Sequence, residues 1–326
     1  MFPEVRLRRL RQSAGIRKLF DTPLPGPEKF MWPTYVVDGQ NVREEIESMP
    51  GQCRLSIDQL LNDLEPLVET GIGSVLLFGL ADNSQKDSQG SEAWNEDGTV
   101  QRAIRLIKNN FPDLVVAADA CVCAYTDHGH CGPLTGSGHV ENDTAIGNLA
   151  KICVSHAAAG ADIVAPSAMM DGQIMAIREG LDDNGLTDTI LMSYSTKFAS
   201  SMYGPFRDAE KSQPGKGDRK GYQASHGDLR TALRESEFDE AEGADMLMIK
   251  PSLFYLDILA KMRVATDLPI AAYNVSGEYS MLHATAQRGW GDLKAMVQES
   301  TSALTRAGAD ILISYWANQY TEFFEG

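Results

Sequence analysis

The sequence predicts an α/β protein of the (β/α)8 or TIM-barrel class, with an extended N-terminal arm. Short apolar runs alternate eight times with segments long enough for helices. The runs are apolar on both faces, as expected for parallel strands covered by helices. The chain has 326 residues and 43% hydrophobic content, which suits one barrel of about 250 residues with extensions.

The eight strands are predicted where β-branched and apolar residues cluster, and the helices fill the segments between them. An open doubly wound sheet is the alternative. Such a sheet would more often show a Gly-rich phosphate loop after its first strand, and none is present. The predicted strands are Thr34–Asp38, Val75–Leu80, Leu114–Asp119, Asp162–Ser167, Ile190–Ser195, Met246–Pro251, Ile270–Val275 and Ile311–Trp316, and the predicted helices are 57–70, 99–110, 143–159, 171–184, 228–242, 253–265 and 279–306.

Glycines near the predicted helix ends support this element count. Gly71, Gly160, Gly243 and Gly308 each precede a strand by a few residues. Glycine accepts the left-handed conformation that commonly ends a helix. The last three of them begin Gly-Ala-Asp triplets, a repetition typical of successive βα units.

The N-terminal segment differs in composition from the rest of the chain. Residues 1–31 are first basic and then Pro-rich, without a strand pattern. We predict that 1–31 form an arm and that 32–326 form the catalytic barrel domain. The arm's positive charge on an acidic protein predicts contact with acidic surface, for example on a neighbouring subunit; a disordered tail is the alternative.

Bulk properties exclude several classes of function. The formal net charge of −16 argues against a nucleic-acid partner, because phosphate binding needs a basic surface. The sequence contains no apolar run of about 18 residues, so a membrane span is not expected. The basic N-terminus is not followed by the apolar region that a signal peptide would have. The five cysteines are therefore expected in a reducing, cytoplasmic compartment, where a tight cluster indicates a metal or catalysis before disulfides.

Three of the cysteines form the pattern C-x-C-x7-C after the third predicted strand. Three thiolates leave one zinc position open for water or substrate, which is the catalytic arrangement. His128 or His130 could instead supply a fourth ligand and close a structural site, and free thiols are the remaining alternative. The cysteines are Cys121, Cys123 and Cys131.

Two lysines follow apolar strands on what is predicted to be the catalytic face, since barrel chemistry takes place where strands end. Lys250 ends the run Met-Leu-Met-Ile-Lys, and Lys197 lies just beyond the neighbouring strand. Burial and mutual repulsion lower a lysine pKa and free the amine to attack a ketone or aldehyde. A single lysine is usually a solvated surface charge, but two at adjacent strand ends favour Schiff-base chemistry.

The segment 203–223 is long, polar and Gly-bearing, and it follows the fifth strand on the same face. A loop of this length there predicts a lid. Arg207 and Arg219 within it suit a carboxylate, because guanidinium groups make bidentate pairs. A solvated basic loop is the alternative.

These motifs together resemble one family closely and over nearly the whole chain. They include Ser-Met-Pro-Gly at 48–51, the cysteine stretch, Met-Met-Asp-Gly at 169–172, Tyr-Gly-Pro-Phe-Arg-Asp at 203–208, Gly-Ala-Asp-Met-Leu-Met-Ile-Lys-Pro at 243–251 and Val-Ser-Gly-Glu at 275–278. The set resembles the porphobilinogen synthase (5-aminolevulinate dehydratase) family. That resemblance implies a zinc-dependent enzyme that joins two 5-aminolevulinate molecules with loss of two waters.

The resemblance also implies roles for individual residues. Lys250 would form a Schiff base with the first substrate, whose carboxylate Ser276 and Tyr315 would hold. Lys197 would do so with the second, whose carboxylate Arg207 and Arg219 would hold. Zinc on the three cysteines would act as a Lewis acid or activate a water. Asp119 and Ser167 would lie near the reacting atoms, and the remaining substrate-binding residues would be Tyr203, Phe206, Gln223 and Tyr273.

Assembly and regulation are implied in the same way. Family members form homo-octamers in which N-terminal arms wrap neighbouring barrels. Many carry an allosteric magnesium site, whose matching glutamate here is Glu235. Two other interpretations remain open: a class I aldolase-type Schiff-base enzyme, which needs one lysine and no thiol cluster, and a non-catalytic zinc-binding scaffold.

Overall fold

In the computed structural model, which describes residues 3–213, 215 and 217–325, eight parallel strands close into a barrel surrounded by helices. Among these residues the strands are β1 (Phe30–Val37), β2 (Arg43–Glu45), β3 (Cys53–Ser56), β4 (Ser74–Gly79), β5 (Val115–Ala120), β6 (Ile163–Pro166), β7 (Ile190–Lys197), β8 (Met246–Lys250), β9 (Ile270–Asn274) and β10 (Ile311–Ser314).

The barrel consists of β1 and β4 through β10, each strand paired in parallel with the next. It closes where β10 returns to β1, with Phe30 opposite Leu312 and Met31 opposite Ile313. The short strands β2 and β3 form an antiparallel pair, and β3 adds to the end of β1. The predicted (β/α)8 class is therefore confirmed, and each of the eight predicted strands overlaps a barrel strand.

Each barrel strand is buried on both faces because alternate side chains enter two different cores. One core fills the barrel interior, and the other lies between the strands and the helices. The interior core takes one residue from each strand in Met31, Leu76, Ala117, Ile163, Met192, Met246, Ala271 and Ile313. The adjacent positions Trp32, Val75, Val116, Val164, Leu191, Leu247, Ile270 and Leu312 belong to the outer core.

The helices follow the strands in turn. Within the described residues the α-helices are α1 (Ala14–Lys18), α2 (Ile57–Glu69), α3 (Thr99–Asn110), α4 (Asn142–Ala158), α5 (Gln173–Asp183), α6 (Gly204–Glu210), α7 (Leu229–Ala241), α8 (Leu256–Ala265), α9 (Ser276–Gln287), α10 (Leu293–Ala307) and α11 (Tyr320–Phe324). No helix in this part of the chain combines the length and apolar character needed to cross a bilayer.

One helix prediction is wrong. The pattern at 279–306 is two helices, α9 and α10, separated by residues 288–292. Gly289 in this break has a left-handed φ of 70°, and the Asp292 side chain accepts a hydrogen bond from the Ala295 N–H at 2.8 Å, which caps α10. A glycine turn followed by an aspartate cap ends one helix and begins the next.

The Gly-Ala-Asp triplets have a common structural role at the amino ends of the strands. Each glycine ends a helix with a positive φ, for example 106° at Gly160. Each aspartate then accepts a hydrogen bond from a backbone N–H of the preceding barrel strand. The three bonds are Val116 to Asp162 at 2.8 Å, Leu191 to Asp245 at 2.8 Å and Ile270 to Asp310 at 2.9 Å.

The N-terminal segment extends away from the barrel core. Residues 4–22 are almost entirely exposed and contain a 3-10 turn at Leu7–Arg11 and the short helix α1. Strand β1 begins at Phe30, two residues inside the predicted arm. The division into arm and barrel stays a prediction, and Met1 and Phe2 lie outside the described residues.

Candidate active site

The four predicted catalytic residues lie at the carboxyl ends of four consecutive barrel strands. Asp119 is on β5, Ser167 follows β6, Lys197 ends β7 and Lys250 ends β8. This is the face at which barrel enzymes carry out their chemistry. Parallel strands with both faces covered thus bring four polar side chains to one edge of the apolar interior.

The two lysines are direct neighbours across the sheet. Lys197 and Lys250 are register partners of β7 and β8, and their exposed fractions are 5% and 2%. Burial first, and then the charge of Lys197, lower the pKa of Lys250 to about 7. Lys250 therefore has a large fraction of neutral, nucleophilic amine near pH 7.

Aromatic rings surround the Lys250 amine. The Nζ atom lies 4.1 to 5.8 Å from the centroids of five rings. Three of the rings belong to the strands β4, β7 and β9, and two belong to the segment 203–223. Such rings stabilise a cation weakly and exclude water. They belong to Phe78, Tyr194, Tyr203, Phe206 and Tyr273.

Hydrogen bonds connect the other members of the predicted catalytic set. Lys197 Nζ donates to the backbone oxygen of Ser167. The Ser167 hydroxyl donates to an oxygen of Asp119 at 3.1 Å. Burial raises the pKa of Asp119, and the charges of Lys197 and then Lys250 oppose that rise. Asp119 thus keeps its proton to a higher pH than a solvated aspartate does.

The segment 203–223, which we call the lid segment, lines one pocket together with the two lysines through several of its described residues. It contributes α6 and three polar side chains to a single pocket. Arg207 Nε, Arg219 Nε and Gln223 Oε1 are buried and have no hydrogen-bond partner within the described residues. Two guanidinium groups with spare donors fit an anionic ligand such as a carboxylate. The pocket is lined by Lys197, Tyr203, Phe206, Arg207, Arg219, Gln223 and Lys250.

The two residues predicted to hold the first substrate's carboxylate follow β9 and β10, which lie beyond β8 from the strand of Lys197 in the strand order. The Ser276 hydroxyl accepts from the Phe206 N–H at 2.9 Å, which links α9 to the lid segment. The Tyr315 hydroxyl lies 2.7 Å from that of Tyr35 and 3.2 Å from that of Tyr273. Tyr35 was missed from the sequence, since its position within strand β1 marks it only as a core residue.

The three cysteines form one buried cluster. The sulfur atoms of Cys121, Cys123 and Cys131 all lie within 4.8 Å of one another. Hydrogen bonds from the other two thiols hold the pKa of Cys131 well below its ordinary value. Hydrogen bonds with Cys121 and Cys131, together with burial, raise the pKa of Cys123. A compact set of three buried sulfurs suits a soft divalent metal such as zinc.

Neither histidine of this stretch joins the cluster. Among the described residues, the set of ligand atoms within 4.8 Å contains three sulfurs and no histidine nitrogen. His128 Nε2 lies 3.3 Å from the Ser88 carbonyl oxygen, and His130 Nδ1 lies 3.2 Å from the Tyr222 hydroxyl. A closed site completed by histidine is therefore not supported.

Two charged residues near the site were not predicted from the sequence. Glu210, at the end of α6, is 3% exposed, and Arg54 on β3 is 5% exposed. Burial raises the pKa of Glu210 to about 7, and Asp119 adds to the rise. In sequence each looks like an ordinary surface charge, and only the folded lid segment buries them.

Glu235, the predicted magnesium residue, lies outside the lysine pocket. It is a partly buried residue of α7 and lines a surface pocket with Asp171. Burial first, and then Asp171 and Glu242, raise the pKa of Glu235. Gln223 lines both this pocket and the lysine pocket, so the two are adjacent.

Fold and site together define a class of (β/α)8-barrel protein that joins two buried lysines, two arginines and a thiol cluster at the carboxyl ends of its strands. Within that class, residues 4–323 match the family model described as delta-aminolevulinic acid dehydratase, and the chain belongs to this family.

Individual relatives agree over nearly the full length. The chain is 48% identical to delta-aminolevulinic acid dehydratase of Synechococcus elongatus, covering 97% of this chain and 98% of the relative. The Escherichia coli protein of the same name is 47% identical, covering 97% of both chains. The crystal structure of delta-aminolevulinic acid dehydratase (porphobilinogen synthase) from Toxoplasma gondii, in complex with the reaction product porphobilinogen, is similar with a TM-score of 0.95 and 43% identity, covering 98% of this chain and 91% of that one.

Proposed function

We propose that this protein is a porphobilinogen synthase, a hydro-lyase that joins two 5-aminolevulinate molecules into porphobilinogen and releases two waters. The observation that carries the proposal is the lysine pair. Lys197 and Lys250 are register partners at the ends of neighbouring strands and line one pocket with Arg207 and Arg219. Two keto acids need two amines and matching groups for their carboxylates, and this pocket has both.

The first covalent step belongs to Lys250. Its neutral amine attacks the ketone carbon of one substrate, a proton is transferred to the carbonyl oxygen, and water leaves as the C=N bond forms. The lowered pKa of Lys250 makes the amine available near neutral pH. Ser276 and Tyr315 are proposed to bind the carboxylate of this substrate, with Tyr273 beside them.

Lys197 is proposed to hold the second substrate in the same way. Arg207 and Arg219 would bind its carboxylate, and Gln223, Tyr203 and Phe206 would complete the pocket. Holding both substrates on neighbouring strands makes their joining effectively intramolecular. Asp119, hydrogen-bonded to Ser167 beside Lys197, is the proposed group for moving protons between the two.

Zinc is the proposed metal of the cysteine cluster. Cys121, Cys123 and Cys131 offer the soft, buried sulfur ligands that zinc prefers. When bound, zinc supplies Lewis acidity beside the second substrate. The protein's own contribution is to hold the three sulfurs in a dry site under the lid segment.

Magnesium and assembly are further parts of the proposal. The pocket of Glu235 and Asp171 is acidic and adjacent to the lysine pocket, which supports an allosteric Mg²⁺ there. A homo-octamer is supported by the exposed apolar residues of the arm, such as Leu19 and Phe20 at 78% and 61% exposure. A cytoplasmic location fits five cysteines that are all free thiols.

Borohydride trapping with 5-aminolevulinate, followed by peptide mass mapping, tests the function. We expect reduced adducts on Lys250 and Lys197, and porphobilinogen formation that is lost in Lys250→Arg and Lys197→Arg. Lys220→Arg, in the exposed part of the lid segment, is the matched control and should retain activity. An adduct on one lysine only would favour the aldolase-type alternative, and no adduct in folded, zinc-loaded protein would favour the scaffold.

A further inference from the structure

Glu210 has an unusual environment for a glutamate of a covering helix. Its Oε2 atom accepts a hydrogen bond from the Ser212 hydroxyl at 2.9 Å and lies 3.7 Å from the sulfur of Cys123. The side chain is 3% exposed. A buried carboxylate is retained only when nearby groups compensate its lost hydration. Here the charge of Arg219 and the Ser212 hydrogen bond lower the pKa of Glu210 against the effect of burial, and the carboxylate also contacts the thiol cluster.

The contact with Cys123 depends on whether a metal is bound. A thiol can donate its proton to the carboxylate, but a metal-bound cysteine is a thiolate with no proton to donate. An ionised Glu210 carboxylate and a thiolate 3.7 Å apart in a buried site repel each other. A divalent cation bonded to both replaces this repulsion by two attractive contacts.

The separation also fits shared coordination. With zinc–sulfur and zinc–oxygen bonds of about 2.3 and 2.1 Å at a tetrahedral angle, a sulfur and an oxygen ligand lie about 3.6 Å apart. The observed distance from Cys123 Sγ to Glu210 Oε2 is 3.7 Å. Glu210 is not in the set of ligand atoms within 4.8 Å of one another, so the carboxylate must turn on its side-chain bonds toward the other two sulfurs.

We propose that Glu210 supplies, from the lid segment, an oxygen ligand to the metal held by Cys121, Cys123 and Cys131. This inference rests on the metal site of the proposed function. Glu210 would then be the fourth protein ligand of the three-thiolate site, a role that neither His128 nor His130 fills. Substrate would reach the metal only by displacing this carboxylate.

A ligand on the lid segment couples metal binding to lid closure. Helix α6 is already held from outside by Arg54, whose guanidinium donates to the backbone oxygens of Ala209 at 2.6 Å and Asp208 at 2.7 Å. A bond from Glu210 to the metal would fix the last turn of α6 from the side of the cysteine cluster. By linkage, metal binding then stabilises the closed lid as much as the closed lid stabilises the metal.

The test uses the full chain as wild type, Glu210→Gln and Glu210→Ala. Glu44→Gln is the matched control, because Glu44 pairs with Arg54 and with Lys211 of the lid segment and is not in the cysteine group of ligand atoms. Zinc affinity is measured by competition with a chromophoric chelator. We expect both Glu210 variants to bind zinc at least about tenfold more weakly, and Glu44→Gln to match the wild type.

Two further measurements separate ligation from a structural role. Cobalt(II) ligand-field bands should shift in Glu210→Gln and not in Glu44→Gln. Zinc should slow hydrogen exchange of the α6 amides in the wild type and in Glu44→Gln, but not in Glu210→Gln. Unchanged zinc affinity and unchanged cobalt bands in Glu210→Gln would overturn the inference.

The wild type alone decides the premise. If it bound no zinc at the three cysteines, the metal site of the proposed function would fall together with the inference. If it bound zinc and formed porphobilinogen while Glu210→Gln behaved identically, only the inference would fall.

Discussion

The ammonium form of Lys250 is disfavoured because burial removes its hydration and because the charge of Lys197 lies nearby. Its pKa is about 7 in the folded protein, against an ordinary value of 10.5. Below about pH 7 both the folded and unfolded states hold the proton, and the folded state carries the full cost of the buried charge. Between pH values equal to the folded and the ordinary pKa, the free energy of unfolding rises with pH, because the unfolded state binds more protons than the folded state there.

Lys250→Met is therefore expected to be inactive and more stable than the wild type. At about pH 6.5 the free energy of unfolding should rise by on the order of 3–5 kcal/mol, and the gain should shrink by about pH 9. Urea unfolding at the two pH values measures it. Lys220→Met, in the exposed part of the lid segment, should change little; an equal gain for Lys250→Met at both pH values would contradict the pKa.

At the residue scale, strand ends could be predicted from sequence and buried lid residues could not. Lys197 and Lys250 follow long apolar strands, so their placement follows from the barrel itself. Glu210 lies in a polar stretch of the sequence and Arg54 is a charged residue of a four-residue strand, and the burial of both depends on how the lid segment folds over the barrel. Periodicity contains no information about such a long-range contact.

At the element scale, α6 depends on a residue that comes about 150 positions earlier in the chain. Arg54 donates to the carbonyl oxygens of Asp208 and Ala209, which belong to the last turn of the helix, where carbonyl groups lack partners within the helix. Its remaining nitrogen pairs with Glu44 at 2.8 Å. The guanidinium thus satisfies the end of the helix that carries Arg207 and Glu210.

We expect Arg54→Met to loosen the lid segment. Each lost hydrogen bond from a charged donor is worth about 1.5–3 kcal/mol when buried, so α6 should exchange its amides faster and KM for 5-aminolevulinate should rise. Arg43→Met is the control, because Arg43 pairs with Asp63 at exposed positions and should cost less than about 1 kcal/mol. Equal exchange of α6 in the two variants would argue against this role for Arg54.

Gly277 permits the contact between α9 and the turn before α6. A Cβ atom at Gly277 would lie 2.4 Å from the backbone oxygen of Met202, which belongs to the turn Ser201–Tyr203. The Ser276 hydroxyl also contacts this oxygen at 3.5 Å. Any side chain larger than hydrogen must displace the turn, because the obstructing atom is backbone.

Gly277→Ala is accordingly expected to destabilise the protein by about 1–3 kcal/mol and to weaken substrate binding through Tyr203 and Ser276. Gly147→Ala provides the contrast, since nothing lies within 4 Å of a Cβ there and the position is inside α4. That change should stabilise by up to about 1 kcal/mol. Chemical unfolding measures the free energy of unfolding of both variants. An unchanged value for Gly277→Ala would show that the turn Ser201–Tyr203 moves at little cost.

Whole elements were easier to predict than their boundaries. The strands follow from apolar runs that only a doubly covered sheet can bury. The break between α9 and α10 was missed because the apolar pattern continues on both sides of it, although Gly289 and Asp292 were the available signal.

At the scale of the whole molecule, the prediction of a barrel came from eight alternations of strand and helix, and the repeated Gly-Ala-Asp triplets supported that count. Each triplet ends a helix and ties the next strand to the one before it, as Asp162 does with Val116. Assembly lies beyond such local signals, because an interface between copies leaves no periodic pattern. The exposed apolar residues of the arm are the feature that a test of assembly should address.

Replacing Leu19 and Phe20 together by serine is expected to shift the protein toward smaller species in sedimentation velocity. Both side chains are more than half exposed in a single chain, and burial of such apolar surface drives association. Val264→Ser is the control, at an exposed apolar position of α8. An unchanged distribution for the arm variant would remove the arm from the interface.

The pairing of β1 with β10 has a consequence for folding while the chain is being synthesised. Strand β1 emerges from the ribosome early, yet its partner β10 is made only after all the other barrel strands. Until Ile311–Ser314 appears, the sheet stays open, and the Phe30–Met31 part of β1 and the free edge of β9 can pair with other nascent chains. Substitutions in β10 should therefore reduce the yield of soluble protein in cells by more than their effect on the stability of the finished barrel.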